Sequence, residues 1–225
     1  MTSVLIIGGG GMIGQKLASS FSKNDSLTLL DIGFPHKNQS NARKMIGSVG
    51  DPEIIENSLK DLPEVIYYLA SVVSGEAEAD FSKGWDVNIH AFWAFLSLVK
   101  KLNEKSQGQY KPKIIFTSSI AVFGSPFPDQ IPDDFITAPR TSYGAQKASC
   151  ELMLNDFSRK GFCEGLAIRL PTICVRPGKP NLAASSFFSG IIREPLSGIN
   201  AQLPVSTAVR PVSYTHLTLP TISDV

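Results

Sequence analysis

The chain has 225 residues, 43% of them hydrophobic and 18% charged, with 21 basic side chains against 20 acidic ones. That length can bury the core of one large domain, and the composition is that of an ordinary globular protein. Balanced charge without a Lys/Arg run argues against a nucleic-acid partner, which would leave a basic stripe, and no apolar stretch approaches the roughly 20 residues of a membrane span.

The first elements follow at once. An apolar run, Val4 to Ile7, opens the chain and is too short for the core of a signal peptide. Cys150, Cys163 and Cys174 are odd in number and lack the spacing of a disulfide framework or a zinc site. A cytoplasmic protein without a structural metal is the expectation.

Short branched apolar runs recur along the chain: Val4–Ile7, Leu27–Leu30, Val65–Leu69, Ile114–Phe116 and Leu166–Ile168. They predict buried parallel strands. Longer segments with helical spacing lie between them: Met12–Phe21, Ile54–Leu62, Trp85–Leu102 and Tyr143–Phe157. This alternation predicts an α/β fold, a doubly wound parallel Rossmann sheet with helices on both faces. The stretch from Ile32 to Ala42 reads as a loop. From Arg176 the pattern breaks at Pro177, Gly178, Pro180 and Asn181.

Three regions are therefore expected: a dinucleotide-binding domain over 1–175, the start of a substrate-binding region over 176–211, and a tail over 212–225. The string VSYTHLTLPT in that tail resembles the translation of a sequencing-library adapter and is set aside as non-native. On that reading the natural protein continues past Pro211 and the substrate region here is truncated.

Val4–Ile7 runs into Gly8-Gly-Gly-Gly11-Met-Ile-Gly14, which can be read as G-x-x-G-x-x-G or as G-x-G-x-x-G. Glycine allows the tight turn and lets backbone approach a pyrophosphate seated at the positive end of the following helix. Gly8, Gly11, Met12, Ile13 and Gly14 form this candidate cradle. Asp31, ending the second strand, can accept both ribose hydroxyls and would repel a 2′-phosphate, which favours NAD over NADP. Arg43 and Lys44 keep NADP open. Asp51 is either an adenine contact or a helix cap before Pro52 and Glu53.

Tyr143 and Lys147 stand at i and i+4, so on a helix they point the same way. A phenol of pKa about 10 needs roughly 4 kcal/mol of phenolate stabilisation to act at neutral pH. The Lys147 ammonium and an oxidised nicotinamide would supply it. Tyr143 could then take a hydroxyl proton as hydride leaves carbon. Thr117-Ser-Ser119 lies past a strand, at the sheet edge where ligands bind, and Ser119 could hold the reacting oxygen.

In this order, cradle, acid, serine and Tyr-Lys helix resemble the extended short-chain dehydrogenase/reductase family, the NAD-dependent epimerase/dehydratase family, over about residues 2–210. The resemblance implies cofactor contacts at Asp31, Asp51, Leu69, Ala70, Tyr143, Lys147, Pro171 and Ile173, a catalytic trio of Ser119, Tyr143 and Lys147, and a structural asparagine at Asn88. Ser71–Phe81, Thr117–Gly124, Arg176–Asn181, Ala184–Phe187 and Ser189–Leu196 resemble the D-erythronate dehydrogenases of that family more narrowly. These oxidise the C2 hydroxyl of a four-carbon sugar acid with NAD. A small-molecule sugar acid is thus the implied substrate, with Ser74, Ser119, Tyr143 and Arg176 as contacts, and a homodimer the implied assembly. Arg176 and Lys179 offer cations for a carboxylate; Glu76 could contact substrate or cap a helix. The rival readings are a sugar-nucleotide epimerase or dehydratase, and a non-catalytic dinucleotide-binding scaffold.

Overall fold

A computed structural model describes residues 2–22, 24–35, 42–176 and 178–209. The tail over 212–225 and part of the Ile32–Ala42 loop lie outside the described residues.

Six parallel strands form one sheet: β1 (Ser3–Ile7), β2 (Ser26–Asp31), β3 (Arg43–Ile46), β4 (Val65–Tyr68), β5 (Lys113–Ser119) and β6 (Glu164–Leu170). Their order across the sheet is β3-β2-β1-β4-β5-β6. The chain reverses its direction of travel across the sheet between β1 and β4, so a crevice opens at the carboxyl ends of these two strands.

β1 is buried from Val4 to Ile7 because both its faces are covered. Val4 and Ile6 pack with Leu29 and with Ala18 of α1 (Met12–Ser20). Leu5 and Ile7 face the larger cluster, built with α2 (Pro52–Ser58), α5 (Ala91–Lys105) and α6 (Ser142–Arg159). Between β4 and α5 run α3 (Ser74–Ala79) and α4 (Phe81–Trp85), and a π turn at Asp86–His90 joins α4 to α5. The single helix expected over Trp85–Leu102 is thus a longer helical run with a wide turn inside it. α7 (Phe187–Leu196) follows β6.

Three expectations change. β3 was not foreseen: Arg43-Lys-Met-Ile is a half-polar edge strand with no apolar run, and it exists by pairing with β2 in the register Thr28↔Arg43 to Asp31↔Ile46. β6 is only partly covered, with Leu166 56% exposed, because α1 packs over β1 and β2 rather than over this edge. The C-terminal segment, left unassigned from sequence, contains α7.

No helix among the described residues is long and apolar enough to cross a membrane.

Tyr68 anchors the larger cluster, its ring 4.8 Å from Phe92 and 5.2 Å from Phe95. Its hydroxyl is buried without a hydrogen-bond partner among the described residues, so folding strips water from a polar group and returns nothing. Tyr68→Phe is expected to stabilise the fold by about 1 kcal/mol, read as a higher urea midpoint at unchanged slope.

Candidate active site

The crevice is a cavity of about 1130 Å³. Its floor at one end is the glycine loop between β1 and α1. Gly8 has φ +91, and a Cβ there would sit 2.7 Å from the backbone N of Ala70; β4 and the loop can touch only because the side chain is missing. The amides of Gly8 and Gly9 both donate to the Leu30 carbonyl, at 2.8 and 3.0 Å, which ties the loop to β2. At Gly14 an added Cβ would run into the Gly8 carbonyl. No side chain caps the start of α1, so its first amides remain available to an anion.

Asp31 has a structural task as well as an open one. Its Oδ2 accepts the Gly10 amide at 2.8 Å, and the residue lines the cavity, leaving the second oxygen for a ligand hydroxyl. The cations that kept a 2′-phosphate reading open are engaged elsewhere: Arg43 pairs with Asp61 at 2.8 Å, and the Lys44 ammonium lies over the Phe34 ring at 5.8 Å.

At the other end stand the three side chains expected to be catalytic, Ser119, Tyr143 and Lys147. Ser119 closes β5, and its Oγ accepts the Ala121 amide at 3.1 Å. Tyr143 and Lys147 occupy successive turns of α6, which starts on a Thr141 cap accepting the Gly144 amide at 3.0 Å. The Lys147 ammonium donates to the Thr117 carbonyl at 2.8 Å and lies 5.7 Å from the centre of the Tyr143 ring. Burial pushes the Tyr143 phenol above its ordinary pKa, while the hydroxyls of Ser119 and Ser71 pull it down. The net direction, upward, is opposite to the lowering that the sequence suggested, because in the protein alone burial dominates.

One turn beyond, Glu151 accepts the Ser118 hydroxyl and a forked contact from Arg169, whose Nη2 stands at 2.9 Å. Arg169 also stacks on Phe123 at 5.0 Å. This bracket fixes α6 against β5 and β6.

Of the sequence-derived candidates, Gly8, Gly11, Met12, Ile13, Gly14, Asp31, Leu69, Ala70, Ser74, Ser119, Tyr143, Lys147, Pro171, Ile173 and Arg176 all line this one cavity. Asp51 does not. Its Oδ1 accepts the Glu53 amide at 3.0 Å and caps α2, the capping role that the sequence offered beside the adenine contact; Gly47, Ser48 and Val49, which precede it, line the cavity. Ser74 Oγ accepts the Ala184 amide at 2.9 Å. Glu76 pairs with Lys83 at 2.6 Å. Lys179 is exposed and outside the cavity lining. Sequence reasoning gave Ser71, in the Leu69–Ser71 stretch likened to the strand that lines the cofactor, no role of its own and missed Arg193; both are in the lining. Arg193 sits on unassigned α7, where the spacing Phe187, Phe188, Ile191, Ile192 was a usable helical signal.

Burial lowers the Lys147 pKa from 10.5 to about 8. The folded state therefore holds this charge less well than the unfolded chain does. The penalty is full below pH 8 and fades as pH rises through 10.5, above which both states are neutral. Lys147→Met removes it. Relative to the parent, the variant is expected to gain about 3 kcal/mol on going from about pH 10 to about pH 7, as measured by urea unfolding at the two pH values.

Comparison with known proteins agrees with this geometry. The model of the NAD dependent epimerase/dehydratase family matches residues 4–213. D-erythronate dehydrogenase from Cupriavidus necator is 43% identical over 217 residues, covering 91% of this chain and 65% of its own length. Its namesake from Haemophilus influenzae is 42% identical over 214 residues, with 92% and 66% covered. The crystal structure of a nucleoside-diphosphate-sugar epimerase from Agrobacterium tumefaciens superposes with a TM-score of 0.81 at 46% identity, covering 91% of this chain and 63% of that one. This chain thus spans about two thirds of the length of the relatives it matches. On the strength of the matched residues and the shared fold, it belongs to the NAD dependent epimerase/dehydratase family.

Proposed function

We propose that the chain binds NAD and belongs to an enzyme that oxidises the C2 hydroxyl of a four-carbon sugar acid, D-erythronate, to the 2-keto acid. The observation that carries this reading is one cavity holding the glycine loop and Asp31 at one end, and Ser119, Tyr143, Lys147 and Arg176 at the other. Identity of 42–43% to two D-erythronate dehydrogenases supports the substrate.

The cradle fits a dinucleotide: a glycine loop that a Cβ would fill, an uncapped helix start for the pyrophosphate, and a carboxylate at the ribose position. We assign the adenine end to Gly47, Ser48 and Val49. NAD, when bound, supplies the hydride acceptor. The chain's own groups do the rest. Ser119 donates to the reacting oxygen, Tyr143 Oη takes its proton, and the Lys147 charge favours the phenolate. The carboxylate is met by Arg176, whose guanidinium has no ion-pair partner among the described residues, together with Arg193. Arg193 spends one N–H on the Arg176 carbonyl at 2.8 Å and another on Glu194. Three of its five N–H groups remain free for a ligand.

A second reading, a sugar-nucleotide epimerase that returns the hydride to its substrate, is favoured by the name of the Agrobacterium tumefaciens relative. The two differ in whether NADH accumulates. The assay uses this chain, and a hybrid carrying the C-terminal third of the Cupriavidus necator relative. NADH absorbance should rise with D-erythronate and NAD, and Tyr143→Phe should cut the rate at least 100-fold, in line with lost general-base catalysis of roughly 10² to 10⁴. Conversion of UDP-sugars without net NADH would replace this reading with the epimerase.

We assign the homodimer contact to the outer faces of α5 and α6, where Trp93 and Leu152 are 52% and 71% exposed. Sedimentation should give twice the chain mass, and Trp93→Asp should return the monomer; a monomeric parent removes the assignment.

A further inference from the structure

The loop after β4 brings a second hydroxyl to the phenol. Ser71 lines the same cavity as Ser119 and Tyr143, and its Oγ lies 2.9 Å from both the Val72 carbonyl and the Oδ1 of Asn88. Asn88, 4% exposed in the π turn, is held on every side. Its Oδ1 accepts the Val72 amide at 2.9 Å, and its Nδ2 donates to the Val72 carbonyl at 3.3 Å and to Gln146 Oε1 at 2.7 Å. Gln146 precedes Lys147 on α6. One buried amide therefore fixes Ser71 relative to the helix that carries Tyr143.

Counting protons assigns the work. A hydroxyl has one proton to donate. The Ser119 oxygen already accepts the Ala121 amide, so its proton is the donor left for the substrate oxygen. A phenolate formed beside it needs a donor of its own. Ser71 can spare one, because Asn88 Oδ1 keeps the Val72 amide if the Ser71 hydroxyl turns away.

We propose that Ser71 is a further catalytic hydroxyl: its proton points to Asn88 or Val72 while Tyr143 is protonated, and swings to the Tyr143 oxygen when that oxygen is ionised. The proposal rests on the dehydrogenase reading above. In that reaction the C–H bond breaks with its electron pair going to the nicotinamide. The O–H proton passes to the Tyr143 oxygen, and the carbonyl forms. The Ser71 proton never leaves its oxygen; it rotates back as Tyr143 becomes a phenol.

Charged groups in the cavity lining are Asp31, Lys147 on α6, the Glu76–Lys83 pair on α3 and α4, Arg176 and Arg193, and α6 carries Glu151 one turn beyond Lys147 and receives Glu78 at the Ser142 amide. They stay the same when Ser71 is changed. With no substrate in the cavity both serine hydroxyls favour the ionised phenol against burial; once the Ser119 proton is on the substrate oxygen, that of Ser71 is the one left to the phenol.

The test is an ultraviolet phenolate titration of the NAD-bound protein as parent, Tyr143→Phe, Ser71→Ala, Ser71→Thr and Ser71→Cys. Loss of one component in Tyr143→Phe identifies Tyr143. That component is expected to move up by about one unit in Ser71→Ala, about tenfold less phenolate at a given pH, and to return to the parent midpoint in Ser71→Thr. Where the alanine variant does not fold, Ser71→Cys, with a weaker donor, should show the same upward shift against Ser71→Thr. An unmoved or lowered midpoint, or a threonine variant that behaves like alanine, overturns the proposal. Failure of the dehydrogenase reading shows separately, as no NADH from sugar acids while the titration still responds to Ser71.

Discussion

The cavity exists because backbone meets backbone at Gly8. With φ +91 and no room for a Cβ against Ala70, this residue lets the end of β1 turn directly over β4. From that turn the Leu30 carbonyl, shared by two amides, positions β2 and so Asp31. The same turn aims α1 with its first amides facing the crevice. A side chain at this position would lift the loop off β4 and separate the Asp31 end of the crevice from the Tyr143 end.

The end that holds Ser119, Tyr143 and Lys147 is built in the opposite way. Lys147 is 2% exposed and Ser118, Asn88 and Gln146 are buried with it, a set of polar groups that an apolar core would replace at lower cost. The lysine charge is held by a carbonyl and by the ring of Phe116 at 4.6 Å, neither of which neutralises it. What this arrangement secures is position. Asn88 ties the β4 loop to α6, and Glu151 ties α6 to β5 and β6. The three hydroxyls of Ser71, Ser119 and Tyr143 come from three separate stretches of chain and still line one cavity.

Much of this was legible in sequence because its signals are local. A branched apolar run into clustered glycines, an acid closing the next run, and Tyr and Lys one helical turn apart each carry their meaning within a few residues. What escaped depends on partners far along the chain. β3 is a strand because β2 offers it an edge. Ser71 is set in place by Asn88 and Gln146, neither adjacent to it in sequence. Arg193 turns inward because its guanidinium reaches the Arg176 carbonyl. Asp51 was ambiguous for a local reason: the Asp-Pro-Glu string that suits a cap also matches a ligand position, and the Glu53 amide shows the capping role alone.

The contact between Asp31 and Gly10 bears on any redesign of the chain. Exchanging Asp31 for a small neutral residue, the obvious step toward accommodating a ribose phosphate, would also strand the Gly10 amide that its carboxylate now receives at 2.8 Å. On the proposed reading, coenzyme preference and the shape of the loop thus meet in one side chain. A replacement must bring an acceptor to Gly10 as well as a cation to the phosphate, so the shortest route between the two coenzymes passes through at least two coordinated substitutions.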